Sequence, residues 1–364
     1  MNMITLGQYC TRPHGTQCTR CQTACPHGAI SFSQEGLPVI DNEACTRCAV
    51  CMGVCDEFSA STTSARGLYE HLKKVALAGE LVYLTCKENV FPGLEPARNV
   101  TVLPCLACMP AELWTLLLAE NVPLCLAMDL KYCDKCTKAP HIGELLFSRC
   151  VELAEARTGN QVRFDRVIPE LTEEDKAAAA AGNPSHRREA FESVKDDALG
   201  IVNGTRHLKN SDTLKHVYRD RERNRMRGLL NLADRKAVDE SLGGAKTQRV
   251  MFPSHKMLLE SVAACDQCRT SVEILASATD ADCCVDCFAC TKACPSHARL
   301  EANDKLDYDP RYCIGCGACA LACEKDAVYF VEGTARDVLP DFVAHIDQLK
   351  AQATTAKQAK KPRR

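Results

Sequence analysis

The chain reads as an α+β protein: two small cysteine-repeat modules near its ends, a small α/β domain behind the first, and a charged helical linker before the second. Three observations lead there. Cysteine, 26 of 364 residues, is gathered into blocks at 10–55, 86–150 and 265–323. The first and third blocks each contain an internal repeat. The second block instead sits among apolar runs that alternate between helical and strand character. The boundaries that follow are 1–64 and 256–335 for the repeat modules, 65–168 for the α/β domain, 169–255 for the linker, and 336–364 for a closing helix and basic tail.

The repeats are internally consistent. Cys284, Cys287, Cys290 and Cys294 recur as Cys313, Cys316, Cys319 and Cys323, every member displaced by 29 residues. In the first module Cys18, Cys21 and Cys25 recur as Cys48, Cys51 and Cys55, displaced by 30. Cys10 and Cys45 are 35 apart, and the excess of five equals the difference between C-x7-C and C-x2-C. Cys10 therefore takes the first position of its motif, behind a longer loop.

Composition narrows the chemistry. The formal charge is -2, so neither nucleic acid nor membrane is attracted by bulk charge. The longest apolar run, near Leu113 to Leu130, is interrupted by Glu120, Asn121 and Pro123, short of a membrane span. The first residues lack the basic and apolar regions of a secretory signal. The Arg187–Arg188 pair lies deep in the chain among acidic residues, unlike a twin-arginine signal. A cytoplasmic, reducing location is the expectation, and there metal thiolates account for so many cysteines better than disulfides do.

C-x2-C-x2-C-x3-C-P is the spacing of bacterial ferredoxins that hold two [4Fe-4S] clusters, and both end modules resemble them. That resemblance implies two ferredoxin-like dicluster modules with ligands that cross between motifs. Cys10, Cys18, Cys21 and Cys55 would hold one cluster, and Cys45, Cys48, Cys51 and Cys25 the second. Cys284, Cys287, Cys290 and Cys323 would hold a third, and Cys313, Cys316, Cys319 and Cys294 a fourth. The fourth cysteine of each motif is expected to start a helix. Pro26 and Pro295 fit the pattern, and Gly315 and Gly317 are small enough for loop backbone to approach a cluster. Asp56 and Glu324 stand where proline often lies, and a carboxylate there should lower a cluster's potential. Zinc knuckles are the competing account, but they use separated C-x2-C pairs rather than overlapping triplets.

In the α/β domain, Leu68, Leu72 and Val75 mark a helix. Leu81–Thr85, Val100–Leu103 and Leu124–Met128 read as buried strands, Pro110 opens a helix through Leu118, and another follows His141. Cys86 and Cys105 fall at strand ends, with Cys133 and Cys136 beyond a third. In a parallel sheet those ends share one edge. Cys86, Cys105, Cys133 and Cys136 are therefore a candidate fifth metal site, iron-sulfur ahead of zinc, with Cys108 able to replace Cys105. The segment LPCLACMPAELWTLLLAENVPLCLAMDLKYCDKC is similar to the central domain of bacterial polyferredoxin-like proteins, and distantly to the small iron-sulfur subunit of methyl-viologen-reducing hydrogenases. Cys125 and Cys150 read as core residues. Cys265, Cys268 and Cys283 lack an evident fourth partner.

The linker contains a helix start at Thr172 and Asp175, an alanine run ended by Gly182, Asn183 and Pro184, and an alternating series from Arg219 to Arg227, read as a solvated face. No phosphate loop, dinucleotide turn, zinc-protease helix or nucleophile elbow is visible, so no catalytic residue is expected. Several one-electron centres suit a relay serving redox protein partners or the catalytic subunit of an oxidoreductase. An accessory role in maturing a redox enzyme and a zinc-stabilised scaffold are the alternatives.

Overall fold

The computed structural model describes residues 2–172 and 249–359. The alanine run, the Arg187–Arg188 pair, the Arg219–Arg227 series and the basic tail lie outside the described residues.

The first module is built from short strands because its loops are committed to cysteines. β1 (Met3–Thr5) and β4 (Phe58–Ala60) pair antiparallel, and β2 (Ile30–Phe32) pairs with β3 (Pro38–Ile40). Between them lie α1 (Arg20–Ala24) and α2 (Val50–Val54). These helices correct the sequence expectation that a fourth cysteine starts a helix. Cys25 and Cys55 instead end α1 and α2, in extended backbone with ψ of 113° and 125°. Proline disfavours helical backbone in the residue before it, which accounts for the stop at Cys25, followed by Pro26.

The middle domain is α/β. Ser64 caps α3 (Ala65–Leu77) by accepting from the Gly67 amide, as short polar side chains do at helix starts. β5 (Val82–Cys86), β6 (Val100–Leu103), α4 (Ala111–Ala119), β7 (Leu124–Ala127), α5 (Lys131–Asp134), α6 (Ile142–Thr158) and β8 (Arg163–Asp165) follow. The sheet runs β6-β5-β7-β8 with every pairing parallel. β7 is apolar on both faces and β5 nearly so, buried Thr85 being its polar exception, as suits strands covered on both sides. α4 is apolar all round because it is enclosed: Leu113, Trp114, Leu116 and Leu117 are all buried.

The last module opens with α7 (Pro253–Ala264) and α8 (Cys268–Ser271). β9 (Glu273–Thr279), α9 (Ala289–Ala293), β10 (Arg299–Ala302), β11 (Lys305–Tyr308), α10 (Ala318–Leu321) and β12 (Val328–Thr334) complete it. β12 pairs with β9, and β10 with β11, both antiparallel, repeating the pairing of the first module. α11 (Ala335–Val338) starts at a capping box of Thr334 and Asp337, and α12 (Pro340–Ala359) follows. Buried Arg269 of α8 pairs with Asp266 and with Asp347 of α12, which fastens the closing helix.

The three parts share cores. Met52 of α2, Leu72 of α3, Leu106, Trp114 and Met257 of α7 belong to one buried cluster. Arg66 of α3 pairs with Glu260 of α7, and Ser254 donates from its amide and hydroxyl to Asp56. Among the described residues no helix is long and apolar enough to cross a membrane.

At Gly53 the first module is pressed against the backbone of the middle domain. A Cβ there would sit 1.9 Å from the Ala107 carbonyl oxygen. Gly53→Ala is therefore expected to lower stability by about 3 kcal/mol, since neither backbone can give way cheaply. Chemical denaturation of the purified variant measures this, and a loss under about 1 kcal/mol would mean the two segments are not pressed together.

Candidate metal centres

Three of the four cysteine motifs share one backbone device. The residues on either side of the middle cysteine are left-handed: Arg47 and Ala49 around Cys48 (φ 61° and 63°), Asp286 and Phe288 around Cys287 (51° and 56°), Gly315 and Gly317 around Cys316 (64° and 85°). Such alternation curls a loop so that amide N–H groups face a common centre, which suits an anionic group. Only glycine adopts it freely. For Arg47, Ala49, Asp286 and Phe288 it costs about 1–3 kcal/mol each, strain that is typical of functional loops. The first motif differs: Thr19 has φ of -123°, and its longer loop turns at Gly15 instead.

Cysteines distant in sequence surround common cavities. Cys25 lies with Cys45, Cys48 and Cys51 around a void of about 20 Å³. Cys284, Cys287 and Cys290 surround another of about 20 Å³ together with Cys323. Cys10, Cys18, Cys21 and Cys55 line a chamber of about 490 Å³, across which Cys313 and Cys316 face them. Cys294, Cys313 and Cys319 are the electrostatic neighbours of Cys316.

Burial lifts these thiols. Cys21 rises to about 11, through burial and then Cys18, and Cys316 to about 12, through burial and then Cys294, Cys319 and Cys313. Cys51 and Cys55 are pushed up further by burial and neighbouring cysteines. Sulfurs so placed accept negative charge only with a compensating cation. Amides supply part of the compensation. Ala29 donates to Cys25 at 3.3 Å, Ala327 to Cys323 at 3.3 Å and Ser277 to Cys313 at 3.4 Å.

Among the described residues, no group of three or more His, Cys, Asp or Glu is gathered tightly enough for a single metal ion. A tetrahedral zinc needs four ligands within about 2.3 Å of one point. Three of the sets place four thiols around one cavity, an arrangement that suits a group meeting four separate sulfurs. Cys10, Cys18, Cys21 and Cys55 would hold one such group, and the other three sets one each.

In the middle domain Cys86, Cys105, Cys133 and Cys136 line one cavity at the C-terminal edge of the sheet, with Glu88, Tyr132, Glu144 and Phe147. Each arrives differently. Cys86 is the last residue of β5 and Cys105 follows β6, while Cys133 lies on α5 and Cys136 just after it. Gly143 of α6 leaves room for Cys105, whose sulfur would lie 3.0 Å from a Cβ at that position. Burial raises Cys105 to about 12, with added repulsion from Cys86, Cys48 and Cys136. Cys133 reaches about 12 through burial and then Cys86. Cys108 is buried away from this cavity, with Cys105 and Cys48 as its charged neighbours. Cys125 is buried in β7 and Cys150 is partly buried on α6. Cys268 is buried beside Cys265, and Cys283 is exposed next to Asp280.

Several residues that matter here carry no motif. Buried Asn89 donates to the Cys86 sulfur at 3.1 Å and accepts from the Asp129 amide at 2.9 Å, tying the β5 end to the segment before α5. Buried Glu57 accepts from the Gly7, Gln8 and Tyr9 amides. Asp56 is raised to about 6 by burial, against the opposing hydrogen bonds from Ser254. Glu324, the other residue in a proline position, is exposed, so water screens it and its expected effect on potential is small.

Comparison with known proteins places one part of the chain. A family model described as a 4Fe-4S dicluster domain matches residues 277–324. No curated protein matches the chain, and no solved structure does. The matched segment contains all eight cysteines of the last two motifs. The match and the cysteine content support an iron-sulfur protein.

Asn89 gives the middle site its own test. Asn89→Leu removes the donor to Cys86 and the acceptor for Asp129 while keeping side-chain bulk. Metal held by the Cys86 set is expected to be lost to a chelator at about ten- to a hundredfold lower chelator concentration, the usual penalty for removing a residue that orients a ligand. Metal content followed during chelator titration checks it, and an unchanged titration would remove Asn89 from the site.

Proposed function

We propose that the chain is an electron-relay protein carrying four [4Fe-4S] clusters in two dicluster modules and a fifth iron-sulfur group at Cys86, Cys105, Cys133 and Cys136. It works as a subunit or partner of a larger oxidoreductase. The clusters supply reversible one-electron storage. The chain's own residues hold them, exclude water from them and set their separation.

The observation that carries this reading is that the cysteine sets lie in unbroken succession. The middle-domain set adjoins the Cys25, Cys45, Cys48 and Cys51 set: Cys48 is an electrostatic neighbour of Cys105. His27 hydrogen-bonds the Thr137 carbonyl at 3.1 Å and Thr46 donates to the Lys138 carbonyl at 2.8 Å. These contacts flank Cys25 and Cys45 on one side and Cys136 on the other. Within the first module the next set is Cys10, Cys18, Cys21 and Cys55. Its chamber is lined also by Cys313, Ile314, Gly315 and Cys316, and Ile314 packs with Tyr9 and Phe252. The helix start at Ser254 and His255 bridges the same junction, with Ser254 on Asp56 and His255 on the Arg311 carbonyl. The Cys284, Cys287, Cys290 and Cys323 set lies beyond. The middle domain lies between the modules in sequence, yet its cysteines stand at one end of the series. Scattered zinc sites would have no reason to line up.

Protein purified without oxygen is expected to contain about sixteen iron atoms and as many sulfides, with a smaller increment from the fifth group. Iron, sulfide and zinc analysis measures this. Stoichiometric zinc with little sulfide would overturn the relay in favour of a zinc-stabilised scaffold.

A further inference from the structure

Arg299, the first residue of β10, is 1% exposed and is one of the largest fully enclosed side chains of the chain. Its donors go to the Ser277 hydroxyl at 3.1 Å, the Thr279 hydroxyl at 2.6 Å and the Ala278 carbonyl at 3.0 Å. Its guanidinium lies 4.9 Å from the centre of the Tyr308 ring. All of these partners are neutral. Among the described residues no carboxylate is within ion-pair distance of it. A buried charge without a counter-charge costs several kcal/mol. The groups within reach that a bound iron-sulfur group would make negative are sulfurs: Ser277 meets the Cys313 sulfur through its amide and hydroxyl, Thr279 lines the cavity of Cys284, Cys287, Cys290 and Cys323, and the Arg299 charge acts on Cys290 and Cys319. Those two cysteines belong to different sets of the last module, so one cation serves both.

The first module is built differently. The residue five after Cys294 is Arg299, and the residue five after Cys25 is Ile30, buried at the start of β2. No cation stands at that position, and Arg12 and Arg20 of this module line the chamber of the Cys10 set. Two carboxylates follow Cys55: Asp56, held by Ser254, and Glu57, 0% exposed. The corresponding Glu324 and Lys325 of the last module are exposed and of opposite sign.

We propose that Arg299 biases the relay toward the last module by stabilising added electrons on the Cys284 and Cys313 sets. The inference rests on the relay reading. Reduction adds one negative charge to a cluster, which an adjacent cation favours and an adjacent carboxylate opposes. Net local charge is among the determinants of such potentials. In the transfer itself a reduced cluster of the first module loses one electron and an oxidised cluster of the last module gains it. No proton moves and no bond is made or broken. The first module is then the donor side and the last module the acceptor side.

Potentiometric titration followed by electron paramagnetic resonance, on full-length protein with its iron content measured, tests this. In the wild type the last module's clusters are expected to be reduced first. Arg299→Gln keeps hydrogen-bonding capacity without the charge. It should shift the electron distribution away from these clusters by tenfold or more, about 59 mV for one electron, and leave the first module's signals in place. Arg299→Lys should stay near wild type. Full iron with unchanged potentials in Arg299→Gln would overturn the inference and leave the relay standing. Equal shifts in the Lys and Gln variants would also overturn it, because packing rather than charge would then be responsible. Protein lacking iron-sulfur groups altogether would instead defeat the relay reading.

Discussion

A buried sulfur carries negative charge only where cations or hydrogen-bond donors meet it, and the structure is arranged around that constraint. Thiols such as Cys51, Cys55, Cys105 and Cys316 are lifted by burial and by one another. Crowding them has no benefit for an apolar core, where methyl groups would pack without repulsion. The loops add a further cost by holding Arg47, Ala49, Asp286 and Phe288 left-handed. Both expenses make sense when an iron-sulfur group binds the sulfurs and accepts the inward N–H groups. The enclosed Arg299 fits the same logic, since its charge is balanced only if anionic groups lie beside it.

The rest of the fold keeps the cysteine sets close together. Gly53 lets α2 meet the turn after Cys105, and the enclosed α4 gives the α/β sheet and α7 a common core. Asp56 and Ser254 join the chamber of the first module to the start of α7. Spatial order therefore departs from chain order. The middle domain closes one end of the series, although its sequence separates the two modules.

Much of this was legible in the sequence. The 29- and 30-residue displacements mark the repeated motifs, and the apolar runs mark the strands to within a residue or two, because buried parallel strands leave no polar positions to confuse the pattern. The edge of the sheet that gathers Cys86, Cys105, Cys133 and Cys136 follows from strand direction alone. What was not legible depends on packing. Arg299 reads as one more surface arginine until β9 and Tyr308 enclose it, and Glu57 and Asn89 belong to no motif. Arg47, Ala49, Asp286 and Phe288 are left-handed without being glycine, so nothing in the sequence announces them. The expectation that the fourth cysteines start helices misplaces α1 and α2, because the short run before each fourth cysteine is itself the helix. Which modules touch, and through which faces, has no signature within a single chain's local patterns.

The proposed relay requires continuity: both modules and the middle domain would then form one conductor. The most direct measurement is the electron paramagnetic resonance of fully reduced protein, compared with a Cys316→Ala variant chosen to remove the proposed cluster of the Cys313 set, which shares the chamber lined by Cys21 and Cys55. If the modules are one conductor, the interaction splitting and relaxation of the first module's signal change when that neighbour is removed. An identical first-module signal in the two proteins would contradict the account, leaving two dicluster units that share a chain but not a path.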